Sequence, residues 1–301
     1  MKVLGIGESV IDKAQLSKND GTTRHVGGPA PIGLMFLSRL GIDCTLVTTL
    51  GEDSNAKIIE QALQKEQVKI LAKRQPKTKV NTYLIGEDGS RKKIRGGVVH
   101  NHIENLDQDF VQQFDWILID RHEKKAFYEI LAKKKPSAKI IIDPSTEISQ
   151  FTLDMIHYAD YPILPIEALK KVDPKKDLAV CLEKLYQLSQ KPLIITAGNL
   201  GSIIYDGTML ETIPALKVHA VDVQGAGDIY RGAFAYGMIR GWNTIKSATY
   251  ATLAAGIQCT KVGNASAIPT KKEIDAYQQQ LVREKLQKID ESFFANIKHY
   301  E

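Results

Sequence analysis

Four consecutive residues in the last third of the chain, Gly225-Ala226-Gly227-Asp228, could perform acid–base chemistry beside a bound anion. The glycines allow a sharp turn that exposes backbone N–H groups, and the residues that follow predict a helix over 228–239. Unpaired amides and the helix dipole favour an anion at such a helix start. A carboxylate there suits phosphoryl transfer, because the amides hold developing charge while Asp228 accepts the proton of an attacking hydroxyl. An ordinary glycine turn with an acidic first-turn residue is the alternative interpretation.

Two more carboxylates follow the first apolar segment of the chain. Residues 3–7 have the pattern of a buried strand, Glu8 comes directly after them, and Asp12 lies four residues further on. Ligands of open α/β sheets bind at the carboxyl ends of the strands, so both acids are expected at that edge. The alternative for Asp12 is a solvated acid in a turn. Arg121 follows another apolar segment, and its planar guanidinium could hold an anionic or hydroxyl-rich substrate bidentately.

Two longer segments carry a resemblance to a known family. Residues 221–237 resemble the second signature of the ribokinase-like (PfkB-type) carbohydrate kinases, in which a Gly-Ala-Gly-Asp turn carries the anion hole and the base. Residues 27–41, a Gly-Gly turn leading into an apolar helix that ends in Arg-Leu-Gly, resemble the first signature. The resemblance implies that Asp228 is the catalytic base. It implies that the anion hole is formed by Gly225, Ala226 and Gly227.

The same resemblance locates the acceptor substrate. It implies that Asp12 holds sugar hydroxyls and that the backbone at Gly27 and Gly28 approaches the sugar. It also implies ATP as the phosphoryl donor together with Mg²⁺, and in some members a monovalent cation such as K⁺ beside the anion hole.

The nucleotide is expected on the other side of the anion hole. The turn at residues 196–201 and the loop at 263–270 resemble segments that contact the nucleotide in this family. Small residues in the predicted helix at 248–261 leave space for an adenine. The residues expected to bind the nucleotide are Thr196, Gly198, Gly201, Gly256 and Asn264.

The chain departs from the family pattern at several positions. Val223 and Gln224 stand where the family often has threonines, and Ile32 stands where it has a sugar-reading asparagine. An Asn-x-x-Glu that helps to set the metal and phosphates in the family is replaced by Ile166 and Leu169, and the nearby Glu167 would lie on another helix face. We therefore name no protein metal ligand, and expect Mg²⁺ to be held mainly by nucleotide phosphates and water, with another acidic residue as the alternative ligand.

The middle of the chain alternates between strand-like and helix-like segments, a pattern that predicts βαβ units and a largely parallel sheet. Strands are predicted at residues 116–119, 139–142, 161–164 and 193–196, with helices such as 123–133 and 178–188. Two polar, alternating stretches at 13–26 and 77–99 match the small β-sheet that covers the sugar in the family. We predict one doubly wound, mostly parallel α/β domain over residues 1–301 with this small β lid.

Composition limits the classes of function. Hydrophobic and charged fractions of 43% and 25% are ordinary for a globular protein, and a net charge of +5 in scattered lysine runs does not indicate nucleic-acid binding. No apolar stretch reaches membrane length and no signal-peptide core precedes Glu8, so a cytoplasmic location is expected. Cys44, Cys181 and Cys259 are far apart, without metal-binding spacing, and are expected to be reduced.

The sequence thus predicts ATP-dependent phosphorylation of a hydroxyl on a sugar or sugar derivative. Two alternatives stay open. One is a nucleoside kinase of the same family, because Ile32 makes the pocket more apolar; the other is a ligand-binding or regulatory protein with a kinase fold, because Ile166 and Leu169 replace polar residues. The edge of a small β lid also makes a homodimer through the lid an expectation.

Overall fold

The computed structural model describes residues 1–16, 22–85, 91–97, 101–173 and 177–281. The predicted lid segments include residues 17–21, 86–90, 98 and 99, and the predicted domain includes residues 282–301; these lie outside the described residues.

Thirteen strands are described. In chain order they are β1 (Lys2–Ile6), β2 (Val10–Leu16), β3 (Thr22–Gly27), β4 (Asp43–Gly51), β5 (Lys69–Gln75), β6 (Lys79–Ile85), β7 (Arg91–Arg95), β8 (Trp116–Asp120), β9 (Lys139–Asp143), β10 (Tyr161–Pro165), β11 (Leu193–Thr196), β12 (Ser202–Tyr205) and β13 (Leu210–Ile213). Nine of them form one sheet in the order β13-β12-β11-β10-β9-β8-β1-β4-β5. All neighbours from β11 to β5 are parallel, whereas β12 and the edge strand β13 extend that sheet through antiparallel pairings.

The helices cover both faces of this sheet. They are α1 (Pro29–Arg39), α2 (Ser54–Lys65), α3 (Gln108–Val111), α4 (Lys124–Lys133), α5 (Gln150–Tyr158), α6 (Ile166–Leu169), α7 (Leu178–Ser189), α8 (Ala226–Ile239), α9 (Thr244–Cys259) and α10 (Lys271–Leu281). Buried side chains of α1, α2, α8, α9 and α10 form one core, and those of α3 to α7 form a second core on the opposite face. The doubly wound α/β architecture is therefore confirmed. Among the described residues no helix is both long and apolar enough to cross a membrane.

The order of the strands reverses at β1. In this sheet β4, the next of its strands along the chain, lies on one side of β1, and the later strand β8 lies on the other side. A crevice forms at such a reversal, outside the carboxyl ends of the strands, and it is the usual ligand site of open α/β sheets. Strand β8 is buried at every position, and β1 and β9 are buried except at their first residue. This burial on both faces explains why their sequences are nearly continuous apolar runs.

Helices α1 and α8 cross at two glycines. A Cβ at Gly232 would lie only 2.8 Å from the backbone oxygen of Gly33, so no side chain fits at this crossing. The close approach fixes the first turn of α8 relative to α1, and with it the position of the predicted anion hole.

The remaining four strands form the separate lid sheet, in the order β3-β2-β6-β7. Strand β2 is parallel to β6, whereas β3 and β7 pair antiparallel to their neighbours. Asp12 lies within lid strand β2, paired with Asn81 of β6, so the lid begins at Val10 and not at residue 13 as predicted. The chain leaves β1 after Ile6 and begins a new strand at Val10, which the short apolar pattern of residues 3–7 could not reveal.

Candidate active site

The first turn of α8 forms the centre of the candidate site. Gly225 precedes the helix with a left-handed backbone conformation (φ 78°, ψ −1°), and the helix begins at Ala226. The backbone N–H of Ala226 is 3.3 Å from the oxygen of Val223, while those of Gly227 and Asp228 lie too early in the helix to have an intrahelical partner. The turn can therefore present amide donors to an anion.

Asp228 lies in this turn next to a cation. Its Oδ1 is 3.2 Å from Nη1 of Arg231, whose Nη2 is 2.7 Å from Oδ1 of Asp143 at the end of β9. Burial raises the pKa of Asp228 to about 7; Arg231 opposes the rise, and the carboxylates of Asp143 and Asp12 add to it. A carboxyl with a pKa near neutrality is suited to accept and release a proton at physiological pH.

Arg231 is the main residue of this turn that the sequence reasoning missed. Its guanidinium Nη1 lies 3.6 Å from the point where a Cβ of Gly227 would stand, so it lies beside the amide turn. Residues three apart on a helix are neighbours, and the spacing from Asp228 to Arg231 is a signal that could have identified the pair.

Asp12 is surrounded by three side-chain amides. Asn81 donates to its Oδ1 at 3.2 Å, and Asn264 (3.2 Å) and Gln224 both donate to its Oδ2. Gly27 lies against the same carboxylate, where a Cβ would be 2.3 Å from Oδ2. The structure thus joins Asp12 and Gly27, as the resemblance implies, but adds two amides, from Asn81 and Gln224, that were not predicted.

Asn264 was expected among the nucleotide-binding residues. The structure places it between Asp12, to which its amide donates, and the anion-binding turn, where its Oδ1 would be 2.8 Å from a Cβ at Gly225. It therefore lies at the boundary of the predicted acceptor and phosphate regions.

A charged cluster occupies the carboxyl ends of β1 and β8. The backbone N–H of Glu8 donates to Asp120 at 3.1 Å, and the carboxylate of Glu8 is 2.6 Å from Nζ of Lys79 on the lid. His122 donates its backbone N–H to Asp120 at 2.9 Å, and its Nδ1 is 3.2 Å from the same carboxylate. Burial lowers the pKa of His122, but the hydrogen bond to Asp120 and the charges of Asp120 and Glu8 outweigh it and raise the pKa overall. The cluster connects the lid to the main sheet.

Arg121 lies beside this cluster, and its side chain turns toward the loop after β9. Its Nη1 is 2.5 Å from Oε2 of Glu147. Both side chains are partly exposed, so Arg121 can readily exchange Glu147 for another anionic partner.

The residues predicted to bind the nucleotide differ in their surroundings. Gly198 has a left-handed backbone (φ 56°) and open space around its Cα, whereas Gly201 (φ 100°) lies against the backbone of Ile213. Thr196 Oγ1 is 3.5 Å from the oxygen of Leu164. Gly256 packs against Leu216, which a Cβ would approach to 2.7 Å, so the close packing of α9 against the segment after β13 already accounts for that glycine.

The positions that replace the Asn-x-x-Glu motif are part of the core. Ile166 and Leu169 are buried with the α3 to α7 helices, and Glu167 is exposed. Within the described ranges no three His, Cys, Asp or Glu side chains are grouped as a metal site. The chain thus offers α8 amides and Arg231 for phosphate oxygens, but no protein cage for a divalent ion among the residues described.

These features together define a class of protein: a doubly wound sheet, a β lid beside its carboxyl edge and an amide turn next to a carboxylate describe a ribokinase-like kinase fold. Ribokinase from Thermotoga maritima superposes with a TM-score of 0.80 at 22% identity, covering 92% of this chain and 99% of that one. A ribokinase II-type protein from E. coli in complex with ATP and Mg²⁺ gives 0.80 at 18% identity over 93% and 99%. At these identities the similarity demonstrates the fold.

The chain belongs to the pfkB family of carbohydrate kinases, whose family model matches residues 2–271. It is also 25% identical over 311 residues to the bifunctional protein HldE of a Nitratiruptor species. That match covers 93% of this chain and 65% of HldE, so the chain spans about two thirds of that relative.

Proposed function

We propose that the protein transfers the terminal phosphoryl group of ATP to a hydroxyl of a sugar or sugar derivative. The observation that carries the proposal is Asp228, a carboxyl with a pKa raised to about 7 in the first turn of α8, beside amide donors and Arg231. Family membership and the ATP complex of a protein with the same fold support ATP as the donor.

In the proposed reaction Asp228 accepts the proton of the acceptor hydroxyl. The hydroxyl oxygen forms a bond to the terminal phosphorus while the bond from that phosphorus to the bridging oxygen of ADP breaks. The amides of Gly227 and Asp228 donate to the oxygens of the transferring group, and the guanidinium of Arg231 lies where it can share their charge. Mg²⁺, when bound, would neutralise phosphate charge; we propose that phosphates and water supply its ligands, because no acidic cage is grouped there among the described residues.

The acceptor is proposed to bind at the amide cluster around Asp12. The side-chain oxygens of Asn81, Gln224 and Asn264 are buried and accept no hydrogen bond among the described residues, although the amide nitrogen of each donates to Asp12. A carboxylate can receive only the NH₂ end of an amide, so these three oxygens are left as acceptors. Buried acceptors are usually satisfied, and hydroxyl groups of a sugar are suitable donors.

The test is ADP release with MgATP and a panel of sugars, sugar phosphates, sugar acids and nucleosides. Asp228→Asn should lower kcat by about 10²–10⁴ on any accepted substrate, with ATP binding retained. Asp109→Asn is the matched control, because Asp109 is exposed in α3, away from the described site. Turnover by Asp228→Asn within a few-fold of wild type would contradict the proposed base.

The same panel separates the alternatives. Preferential, Asp228-dependent turnover of nucleosides would indicate a nucleoside kinase. Calorimetric binding of sugar and ATP without ADP formation would indicate a regulatory protein. Omitting and restoring K⁺ in the same assay tests the proposed monovalent cation.

A further inference from the structure

One cation on the lid faces the acceptor region without a carboxylate partner among the described residues. Lys93 of β7 pairs with Tyr83 of β6, and its Nζ is 6.0 Å from the centre of the Tyr83 ring. Because alternate residues of a strand share a face, Tyr83 and Asn81 project from the same side of β6. Lys93 therefore shares the lid face of Asn81, whose amide donates to Asp12.

The absence of a side chain at Gly96 leaves space for this lysine. A Cβ there would lie 3.3 Å from Nζ of Lys93 and 3.9 Å from Oδ1 of Asn81, so the two atoms flank the same point. The ammonium group is thus beside the amide that positions the Asp12 cluster.

Two other cations lie near Lys93, and both already have partners. Lys79 is paired with Glu8 at 2.6 Å and Arg121 with Glu147 at 2.5 Å. In the part of the chain that the structure describes, Lys93 has no carboxylate within ion-pair distance. Lys93 is exposed, as Lys92 is. Desolvation beside the lid and the charges of Lys79 and Arg121 lower the pKa of Lys93, against the attraction of Asp12 and Glu8. An anion placed here would relieve the repulsion among the three cations.

The position of Lys93 relative to the base indicates which substrate would supply the anion. Asp12 receives Asn81 of the lid on Oδ1, and it receives Gln224, which directly precedes the amide turn, on Oδ2. The Cβ position of Gly96 is 3.3 Å from Nζ of Lys93 and 3.9 Å from Oδ1 of Asn81, so Lys93 lies beside Asn81. Lys93 is therefore on the lid side of the acceptor cluster, whereas the amide turn is on the side of Gln224.

We propose that the acceptor substrate carries an anionic group, a phosphate or a carboxylate, and that Lys93 is the lid residue that binds it. The inference rests on the proposed function, because it names the substrate class of that same site. Arg121 is suited to join Lys93, since its exposed ion pair with Glu147 is easily exchanged.

Lys92 provides a matched control. It neighbours Lys93 on β7, pairs with Leu84 and is exposed, and the alternation of a strand directs it to the opposite face of the lid. Lys93→Met and Lys92→Met remove the same charge from the same strand, so general effects on the lid or on net charge should be equal in the two variants.

The experiment measures binding and turnover of three acceptors: a neutral hexose, the same hexose with a terminal phosphate, and the corresponding aldonic acid. We expect wild type to prefer one of the charged acceptors, and the identity of the better one distinguishes phosphate from carboxylate. Lys93→Met should raise Kd and KM for that acceptor by about 10- to 100-fold, the usual range for loss of a hydrogen bond to a charged group, and Lys92→Met by no more than about twofold.

The outcomes separate this inference from the proposed function. Asp228-dependent turnover of the neutral hexose alone, or equal effects of the two lysine variants, would overturn the anion site while leaving the kinase proposal intact. If no acceptor gives Asp228-dependent ADP release, the kinase proposal fails, and calorimetry still decides the anion site. Lys93-dependent binding of a charged acceptor would uphold it, and binding of neither charged acceptor would overturn it.

Discussion

The amide turn at α8 and the acceptor cluster around Asp12 differ in how far apart in the chain their residues lie. The turn and both of its side chains, Asp228 and Arg231, come from one helix start. The three amides that donate to Asp12 come from positions 69, 212 and 252 residues away. One region is therefore encoded locally, and the other exists only when the lid, the turn and the loop after α9 are assembled.

This difference has a consequence for mutations. A change in the turn should alter the chemistry with little effect on acceptor binding. A change in the cluster should alter how the lid meets the main sheet, and hence acceptor binding, with little effect on the nucleotide. The following predictions test that separation, from the largest expected effect to the smallest.

Arg231→Met should have the largest effect, because Arg231 is the cation beside the proposed base. Loss of its charge raises the pKa of Asp228 above its value of about 7, so the base stays protonated to higher pH. We expect kcat at pH 7 to fall about 100-fold, as for the loss of one charge-stabilising donor, and the acidic limb of the pH–rate profile to move to higher pH.

Arg240→Met is the control for this prediction, since Arg240 is exposed at the other end of α8. Removing one member of a buried ion pair also destabilises a protein, so Arg231→Lys provides a milder variant. A pH–rate profile of Arg231→Met that keeps its wild-type midpoint would contradict the proposed influence of Arg231 on Asp228.

The same contrast explains how much the sequence could predict. The parallel strands and the turn at residues 225–228 were predictable because apolar runs and glycine spacing are local signals. The start of lid strand β2 at Val10 could not be predicted, because the break between β1 and β2 spans only a few residues. Asn81 and Lys93 gave no signal, because an amide or lysine in a polar strand looks like any solvated residue until long-range pairing places it. Gln224 was recognised only as a departure from the family pattern, and its contact with Asp12 could not be predicted.

The edges of the main sheet show the same limit. Strands β5 and β13 carry exposed residues, because an edge strand is only half covered, and their pattern resembles that of a loop. Buried Ile166 and Leu169 were recognised as departures from a motif, but only packing shows that they belong to the core.

A pH-dependent contribution to stability is predicted where the chain returns from the lid to the main sheet. Glu123 is fully buried, and its carboxylate accepts the backbone N–H of Ile103 at 2.8 Å. Burial raises the pKa of Glu123 from 4.5 to about 7, so between these values the folded protein binds a proton that the unfolded chain has released. The free energy of unfolding should therefore fall as pH rises through this range, by about 3 kcal/mol for a shift of this size.

Glu123→Gln should remove that dependence, because glutamine keeps the acceptor for Ile103 but cannot ionise. Urea unfolding from pH 4.5 to 7.5 measures it. Glu129 is the contrasting case: it accepts the N–H groups of Asn105 and Leu106, and its pKa is lowered despite some burial, by those hydrogen bonds and by Lys133. Glu129→Gln should lose stability at neutral pH. If the free energy of unfolding changed equally with pH in wild type and Glu123→Gln, that result would contradict the buried-acid interpretation.

The smallest effect is predicted for Asp12→Asn, which tests the acceptor cluster itself. An asparagine can receive Asn81 or the Gln224 and Asn264 pair through its oxygen, but its NH₂ end then meets another donor, so the lid docks less well. We expect KM for the acceptor to rise about tenfold, as for the loss of one buried hydrogen bond, while KM for ATP changes little.

In the double variant Asp12→Asn/Asn81→Asp the carboxylate and amide exchange strands, which restores the contact between β2 and β6. Partial recovery of acceptor KM in this double variant identifies Asp12 as the residue that joins the lid to the site, because a double-mutant cycle isolates the pair. No recovery, together with an equal rise in KM for ATP, would instead mean that the turn and the cluster form one unit, and that the separation proposed between them is wrong.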